Sequence, residues 1–565
     1  MILCTPERIA QMIGAGHWGT RTLWDMFVAN VERMPAQEAV IDPPNLAAIA
    51  DMAPRRLSWA ALHAEVERLA ALLHGQGLRR DDIVIVQLPN SVAQVALYLA
   101  CHRLGLVISP LPAVYREHEI AHALEVTGAR AVVTASRIGK HAHAAMMAAL
   151  PGIERLFVFG AALPAGAVSL DTTQVSTEQL AAMRVQAAGI ALSADDVVSI
   201  CWTSGTESRP KGVPRSSNEW YWQSKGSVDA VGMGPGTRFL NPFPLVNMGG
   251  MSAGFVGWLL KGATLVQHHP FDLPVFLQQL RDEGIEYTVA PPTILMRLLQ
   301  QEALLEGIDF RRLKRIGSGS APLAPSMIEA FRLRHGVEIL NYFGSNEGAA
   351  MCGCAADIPD SADRATLFPR PSAPGRLAWS EPINNIVSTR LVAMDEERDI
   401  TAPGEPGELR IAGPTVFAGY YRAPELSARA FDAQGYFRTG DLFEIAPDRQ
   451  HLRYVGRLKD LIVRGGMKIS AEEVEGLIAA HPEVLETAVV GVPHAELGEI
   501  LCACVTPKPG CTPTLEGLVA FLRQEKNLAP FKLPERLLVL EALPRNPVGK
   551  ILKRELRELT RETFP

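Results

Sequence analysis

Cysteine and aromatic residues are scarce: 8 cysteines in 565 residues and 6% Phe, Trp and Tyr. Cys101, Cys201, Cys502 and Cys504 lie inside apolar runs, where a thiol acts as a small hydrophobe. The chain therefore reads as a reduced, cytoplasmic protein and not as a disulfide-stapled scaffold. Neither sign of charge dominates, since 55 basic and 61 acidic side chains leave a net charge of −6. That argues against a globally basic nucleic-acid binder and leaves room for a local basic patch. Arg, Asp or His interrupts every apolar run before the ~20 residues of a membrane span. Glu7, Arg8, Arg21 and Asp25 punctuate the first 29 positions, unlike a secretory leader. Repeats and low-complexity tracts are absent. Cys352-Gly-Cys354 has no second Cys/His pair at zinc spacing, and His268-His269 precede Pro270 like a strand end, so neither is read as a metal site.

What is present is ordinary globular usage, 47% hydrophobic and 21% charged, over a length of several domains. Asp82–Leu88 is a β-branched apolar run ended by Pro89-Asn90 and followed by a helical pattern over Val92–Leu104. Ala129–Thr134 and Arg155–Phe159 repeat the short-strand signal, and Gly284–Ala290 does so before a helical Ile294–Leu304. Strands alternating with helices predict an α/β body with largely parallel sheets. Past about residue 400 the texture changes. Gly407–Gly413 reads as a strand, Gly435–Asp441 as a turn-rich segment and His451–Gly456 as a strand. Beyond it a piece of independent-domain size carries helices over Glu472–His481 and Leu515–Lys526, and strands over Glu486–Val492 and Glu499–Val505. The predicted division is 1–457 and 458–565.

The chemistry concentrates first in Thr203-Ser-Gly-Thr-Glu-Ser-Arg-Pro-Lys211-Gly212, directly after the apolar strand Asp196–Trp202. Hydroxyls and glycine N–H groups are the donors a polyphosphate needs, and Lys supplies a point charge. Lys211 precedes Gly212 and no hydroxyl follows, so this is not a Walker loop. Gly232-Met-Gly-Pro-Gly236 has no strand–helix context and is discarded as a dinucleotide loop. Further along come Gly319-Ser-Ala-Pro-Leu323, Asn341-Tyr-Phe-Gly-Ser-Asn-Glu347, Gly407-Glu408…Gly413…Gly419-Tyr420…Pro424-Glu425 and Tyr436-Phe-Arg-Thr-Gly-Asp-Leu442. Gly456-Arg-Leu-Lys-Asp460…Gly466…Glu473-Val-Glu475 and Pro544-Arg-Asn-Pro-Val-Gly-Lys550 complete the series. In this order the motifs resemble the superfamily of AMP-forming acyl-CoA synthetases, peptide-synthetase adenylation domains and luciferases, over roughly residues 20–555.

The resemblance implies a large, multi-subdomain α/β N-terminal body and a small mobile α+β C-terminal lid. It implies ATP and Mg²⁺ as cofactors and CoA as co-substrate. Thr203, Ser204, Gly205, Thr206 and Lys211 match the β/γ-phosphate loop, and Glu347 the Mg²⁺ ligand, with Thr203, Glu347 and Lys550 at the reacting groups. Phe343 matches the ring stacked on adenine, with Tyr342 beside it and Ser320, Ala321 and Pro322 on the other side. Asn346 stands where a Thr is usual; its amide can also donate to phosphate. Asp441 matches the carboxylate on the ribose hydroxyls, Arg457 reaches the same sugar, and Lys550 bridges the acid and the α-phosphate. Asn247, Met248, Gly250, Gly317 and Gly344 fall to the acid pocket, Asn247 replacing a frequent His. Lys459 occupies the hinge position, and Gly465-Gly466 match the glycines that let a pantetheine arm pass.

Between Arg453 and Lys468 stand five basic residues (Arg453, Arg457, Lys459, Arg464, Lys468) and one acid, Asp460, a patch that suits polyanionic CoA and equally a plain solvated face near a hinge. The stretch Ile13–Leu23 is similar to the N-termini of aryl-acid AMP ligases and of cyclohexanecarboxylate- or medium-chain-type CoA ligases. The expected activity is thus ligation of a medium-chain, alicyclic or aryl acid to CoA through an acyl-adenylate. The alternatives are a stand-alone aryl-acid AMP ligase that loads a carrier-protein thiol, and a non-catalytic nucleotide-binding relative. Retention of Lys211, Glu347, Asp441 and Lys550 together argues against the last.

Overall fold

In the computed structural model, the residues described are 1–203, 209–319, 323–371, 373–375, 378–546 and 550–564. Every residue of the β-branched run Ile83–Gln87 is buried, as the absence of polar alternation predicts. It lies within a seven-stranded sheet that reads Val168–Ser169, Arg155–Phe159, Ala131–Ala135, Ile83–Gln87, Val107–Pro110, Val197–Trp202, Gly212–Ser216. Neighbours are parallel except the last two, which form an antiparallel pair carrying the loop from Thr203 to Lys211. The crossover helix Val92–Arg103 is buried all round except at Arg103, so it needs no polar stripe. The Ser91 hydroxyl caps it by accepting from the Gln94 N–H at 3.2 Å.

A second sheet has eight strands, in the order Ala350–Gly353, Glu338–Gly344, Arg315–Gly319, Tyr287–Val289, Arg238–Asn241, Thr264–Gln267, Glu38–Ile41, Arg56–Ser58. Its interior is parallel and both edge pairs are antiparallel. The strand expected over Gly284–Ala290 is confined to Tyr287–Val289, and the following helix runs Pro292–Gln300 with Glu302–Leu305 as a separate 3₁₀ turn. A third sheet is wholly antiparallel, ordered Leu367–Pro369, His451–Arg457, Phe437–Ile445, Pro406–Ala412, Ser388–Val392. Here the turn-rich reading of Gly435–Asp441 is corrected. From Phe437 the backbone pairs with Pro406–Ala412, and from Asp441 with His451–Arg457 as well, so tertiary pairing overrides the local Gly and Thr composition. Gly440, at φ +68°, is where the ladder becomes irregular.

After the 3₁₀ turn Leu458–Asp460, every described strand belongs to a fourth sheet: Met467–Ser470, Leu461–Arg464, Gly498–Pro507, Val484–His494, with Arg536–Val539 parallel on Gly498–Pro507. Strand alternation gives it two apolar faces. Val489, Leu501 and Ala503 pack under the helices Ala471–Ile478 and Leu515–Gln524, while Ala488, Val490, Cys502 and Cys504 meet Leu556 of the helix Lys553–Thr563. The architecture is thus a large α/β body with parallel-rich sheets and a smaller C-terminal α+β domain. Polar contacts join the two: Lys468 to Asp395 at 2.6 Å, and the Ser470 hydroxyl donating to the Val455 carbonyl.

The N-terminal segment straps the body. Arg8, on the helix Pro6–Gly14, donates to the carbonyls of Val416 and Phe417, and the Trp18 indole donates to the Pro414 carbonyl at 3.2 Å.

Candidate active site

Thr203 and Lys211, read from the sequence as part of a phosphate loop, sit where two buried strands hand over to each other. The Thr203 N–H donates to the Lys211 carbonyl and the Lys211 N–H to the Thr203 hydroxyl, each at 3.0 Å, closing the neck of the loop. Ser204, Gly205 and Thr206 lie outside the described residues. The Lys211 ammonium donates to the Tyr420 hydroxyl at 3.2 Å, and that hydroxyl donates to Glu347 Oε1 at 2.9 Å. Asn346 ties the same corner together: its Nδ2 donates to the Trp202 carbonyl and its Oδ1 accepts from the Met248 N–H, both at 2.8 Å. From behind, the fully buried Arg215 donates to the Asn346 carbonyl at 3.1 Å, and the Phe417 N–H donates to the Glu347 carbonyl at 2.9 Å.

On the adjoining face, Phe343 stands edge-on to Phe443 with ring centroids 5.2 Å apart. Ser320, Ala321 and Pro322 lie outside the described residues. Strand alternation turns Tyr342 away from Phe343. Its hydroxyl donates to the Ser227 carbonyl at 2.9 Å, and its ring packs against Gly317, where a Cβ would come within 2.9 Å of Tyr342 Cε2 and 2.5 Å of Tyr287 Oη. The structure therefore groups Tyr342 with Gly317, expected from the sequence in the acid pocket, and not with Phe343. Asn247 and Met248 immediately precede the π-helical segment Gly250–Gly257, and the Met248–Asn346 bond joins them to the phosphate corner. Gly344 ends the strand that carries Phe343.

Asp441 and Arg457 are register partners on adjacent strands, with Nε 3.0 Å from Oδ1. Asp441 is buried, and burial pushes its carboxyl above the usual range against the pull of Arg457 and Lys550. Lys550 reaches the same place from the C-terminal domain. Its N–H donates to Asn546 Oδ1 and its carbonyl accepts from the Asn546 N–H, both at 2.8 Å. Burial, then the charges of Arg457 and Lys459, lower its ammonium to about 8, with Asp441 and Asp460 opposing. Lys459 lies in the 3₁₀ turn between the third and fourth sheets. Gly465 and Gly466, at φ +55° and +82°, form the two-residue turn of the hairpin Leu461–Arg464/Met467–Ser470. That turn demands positive φ at both central positions and gives these glycines a structural reason for being there. A Cβ on Gly466 would meet nothing within 4 Å.

Among the described residues no group of three or more His, Cys, Asp or Glu side chains forms a metal cage. Glu347 nonetheless offers a hard oxygen donor, since its Oε2 makes no hydrogen bond there. One carboxylate with phosphate oxygens and water is the pattern Mg²⁺ favours, so the donor set fits that ion. The sequence reading assigned no role to Tyr420 or Arg215. Tyr420 lay in plain view within Gly419-Tyr420, but its contact with Glu347 joins positions 73 apart. Arg215 in an otherwise apolar strand was the one local signal for a buried positioning charge.

The profile of the AMP-binding enzyme family matches residues 27–421, and that of the AMP-binding enzyme C-terminal domain matches residues 473–550. The 2-hydroxy-7-methoxy-5-methyl-1-naphthoate–CoA ligase of Streptomyces carzinostaticus is 33% identical over 97% of this chain and 95% of its own. Pyochelin synthase PchD of Pseudomonas aeruginosa is 31% identical over 98% of this chain and 95% of its own. The crystal structure of ATP-bound MatB from Rhodopseudomonas palustris superposes with a TM-score of 0.74 at 27% identity, covering 96% of this chain and all of that one. With matches of this extent, the chain belongs to the AMP-binding enzyme family of AMP-forming ligases.

Proposed function

We propose that this ligase activates a ring-bearing or medium-chain carboxylic acid with ATP and passes the acyl group to the thiol of CoA. In the first step a carboxylate oxygen attacks the α-phosphorus, the bond to the β-phosphate oxygen breaks, and pyrophosphate leaves. Two anions must meet, so cationic and hydrogen-bonding groups have to be in position beforehand. In this reading Lys211 and the Thr203 hydroxyl take the β/γ-phosphates, Phe343 faces adenine, Asp441 accepts from the ribose hydroxyls, and Arg457 holds Asp441 in place. Lys550 contacts both the acid and the α-phosphate. Mg²⁺, held by Glu347 and phosphate oxygens, would supply charge neutralisation. Asn247, Met248, Gly250, Gly317, Gly344 and, by its position, Tyr342 border the acid. In the second step the thiol attacks the acyl carbon and AMP leaves. Residues 458–565 then act as a lid that turns on residues 1–457 about Lys459, bringing Gly465-Gly466 to the thiol.

The observation that carries this reading is the meeting of Lys550, from the C-terminal domain, with the Asp441–Arg457 pair of the third sheet, with Glu347 in the same field. ATP–pyrophosphate exchange tests it. A panel of aryl, alicyclic and medium-chain acids should include at least one that stimulates exchange; none doing so would remove the adenylation step. A second reading, loading of a carrier-protein thiol, is favoured by the full-length similarity to pyochelin synthase PchD, which is named as a synthase and not as a CoA ligase. Single-turnover thioester formation with CoA, and separately with a phosphopantetheinylated carrier protein, separates the two.

A further inference from the structure

We infer that Tyr420 is a positioning residue whose hydroxyl holds the Lys211 ammonium and the Glu347 carboxylate apart, so that both stay available to the nucleotide. The inference rests on the nucleotide site proposed above. The hydroxyl has one proton, and that proton goes to Glu347 Oε1 at 2.9 Å, which leaves the phenolic oxygen to accept from Lys211 Nζ at 3.2 Å. The ammonium also rests on the ring face, 4.3 Å from its centroid. Neither Lys211 nor Glu347 makes an ion pair among the described residues, though they stand two hydrogen bonds apart. Opposite charges that close normally collapse into a contact pair at about 2.7–2.9 Å. Such a pair would consume the groups meant for phosphate and metal.

The spacer is itself fixed. Its N–H donates to the Ser427 hydroxyl at 2.9 Å, and its ring stands edge-on to Phe417 at 4.9 Å. Phe417 in turn donates its N–H to the Glu347 carbonyl at 2.9 Å, and Arg8 grips the Val416 and Phe417 carbonyls.

Tyr420→Phe keeps the ring and removes only the spacer. The expected result is a KM for MgATP in pyrophosphate exchange raised about tenfold, with kcat at saturating ATP within about twofold of the parent. Calorimetric titration of ATP with Mg²⁺ in the absence of acid should show the same loss. A double-mutant cycle isolates the cause: with Glu347→Gln there is no carboxylate to collapse onto, so adding Tyr420→Phe should change the Kd for ATP less than about twofold. An unchanged or lower KM in Tyr420→Phe, a fully additive loss in the double variant, or a fall of kcat together with melting temperature would each overturn the spacer role. If the parent protein shows no exchange with any acid, it is the functional reading that fails; normal exchange with an unaffected Tyr420→Phe sinks this inference alone.

Discussion

Lys211 and Lys550 are both candidates for touching the nucleotide, yet the molecule holds them in opposite ways. Lys211 rests on an aromatic face and a hydroxyl, on a corner braced by Arg215, Asn346 and the strapped segment Val416–Phe417. Lys550 stands on a short loop fastened through Asn546, in the company of the cations Arg457 and Lys459. Its surroundings make its charge expensive, and only the pull of Asp441 and Asp460 offsets this. On the proposed function, the contrast separates a resident group, made ready before the substrate arrives, from a delivered one whose charge would be fully satisfied once an anion is present.

Breaking the delivered side should have the largest effect. Lys550→Ala is expected to slow adenylation about 10²–10³-fold, the loss typical of one preorganised donor. Thioester formation from synthetic acyl-adenylate should stay within a few-fold of the parent. Equal damage to both half-reactions in single-turnover assays would mean the lysine is structural. The pH profile sharpens the point. With its pKa lowered to about 8, Lys550 is charged below that value and neutral above it. Adenylation should therefore fall about tenfold per pH unit on the alkaline side, and Lys550→Arg should remove that limb within its residual activity. A profile flat to pH 10 would contradict the assignment.

Next in size comes Asp441→Ala, which on the proposed function deletes the acceptor of both ribose hydroxyls and removes the carboxylate paired with Arg457. The Kd for ATP should rise at least about tenfold in calorimetry, with the melting temperature showing whether the fold is kept. The smallest effect is expected at the hairpin turn. Gly466→Asn preserves the positive φ, which Asn tolerates, and adds a side chain in open space. Pyrophosphate exchange should be unchanged while the CoA-dependent step drops a few-fold; an unaffected CoA step would remove Gly466 from the thiol passage.

The strands that could be read from the sequence were mainly those whose burial on both faces writes an apolar run, as in Ile83–Gln87 and Arg155–Phe159. Phe437–Ile445 was half hidden, because Thr439-Gly440-Asp441 falls where its ladder is irregular and reads locally as a turn. At the site, residues fixed by a motif were readable one at a time: Lys211, Glu347, Asp441, Lys550. What could not be read was who touches whom. Tyr342 neighbours Phe343 in sequence but Gly317 and Ser227 in space, and Tyr420 meets Glu347 across 73 positions. Such contacts depend on how sheets stack, which no local pattern encodes.

The chain passes from the third sheet to the fourth through the single turn Leu458–Asp460, and every described strand after it stays in the fourth. The side chain of Leu458 in that turn is 42% exposed. A cut or an insertion at this seam would unpair no strand on either side, which makes it the natural splice point for exchanging C-terminal domains between relatives. It also makes the peptide bonds after Arg457 and Lys459 the place where trypsin sensitivity, with and without nucleotide, would report how firmly the two parts hold together.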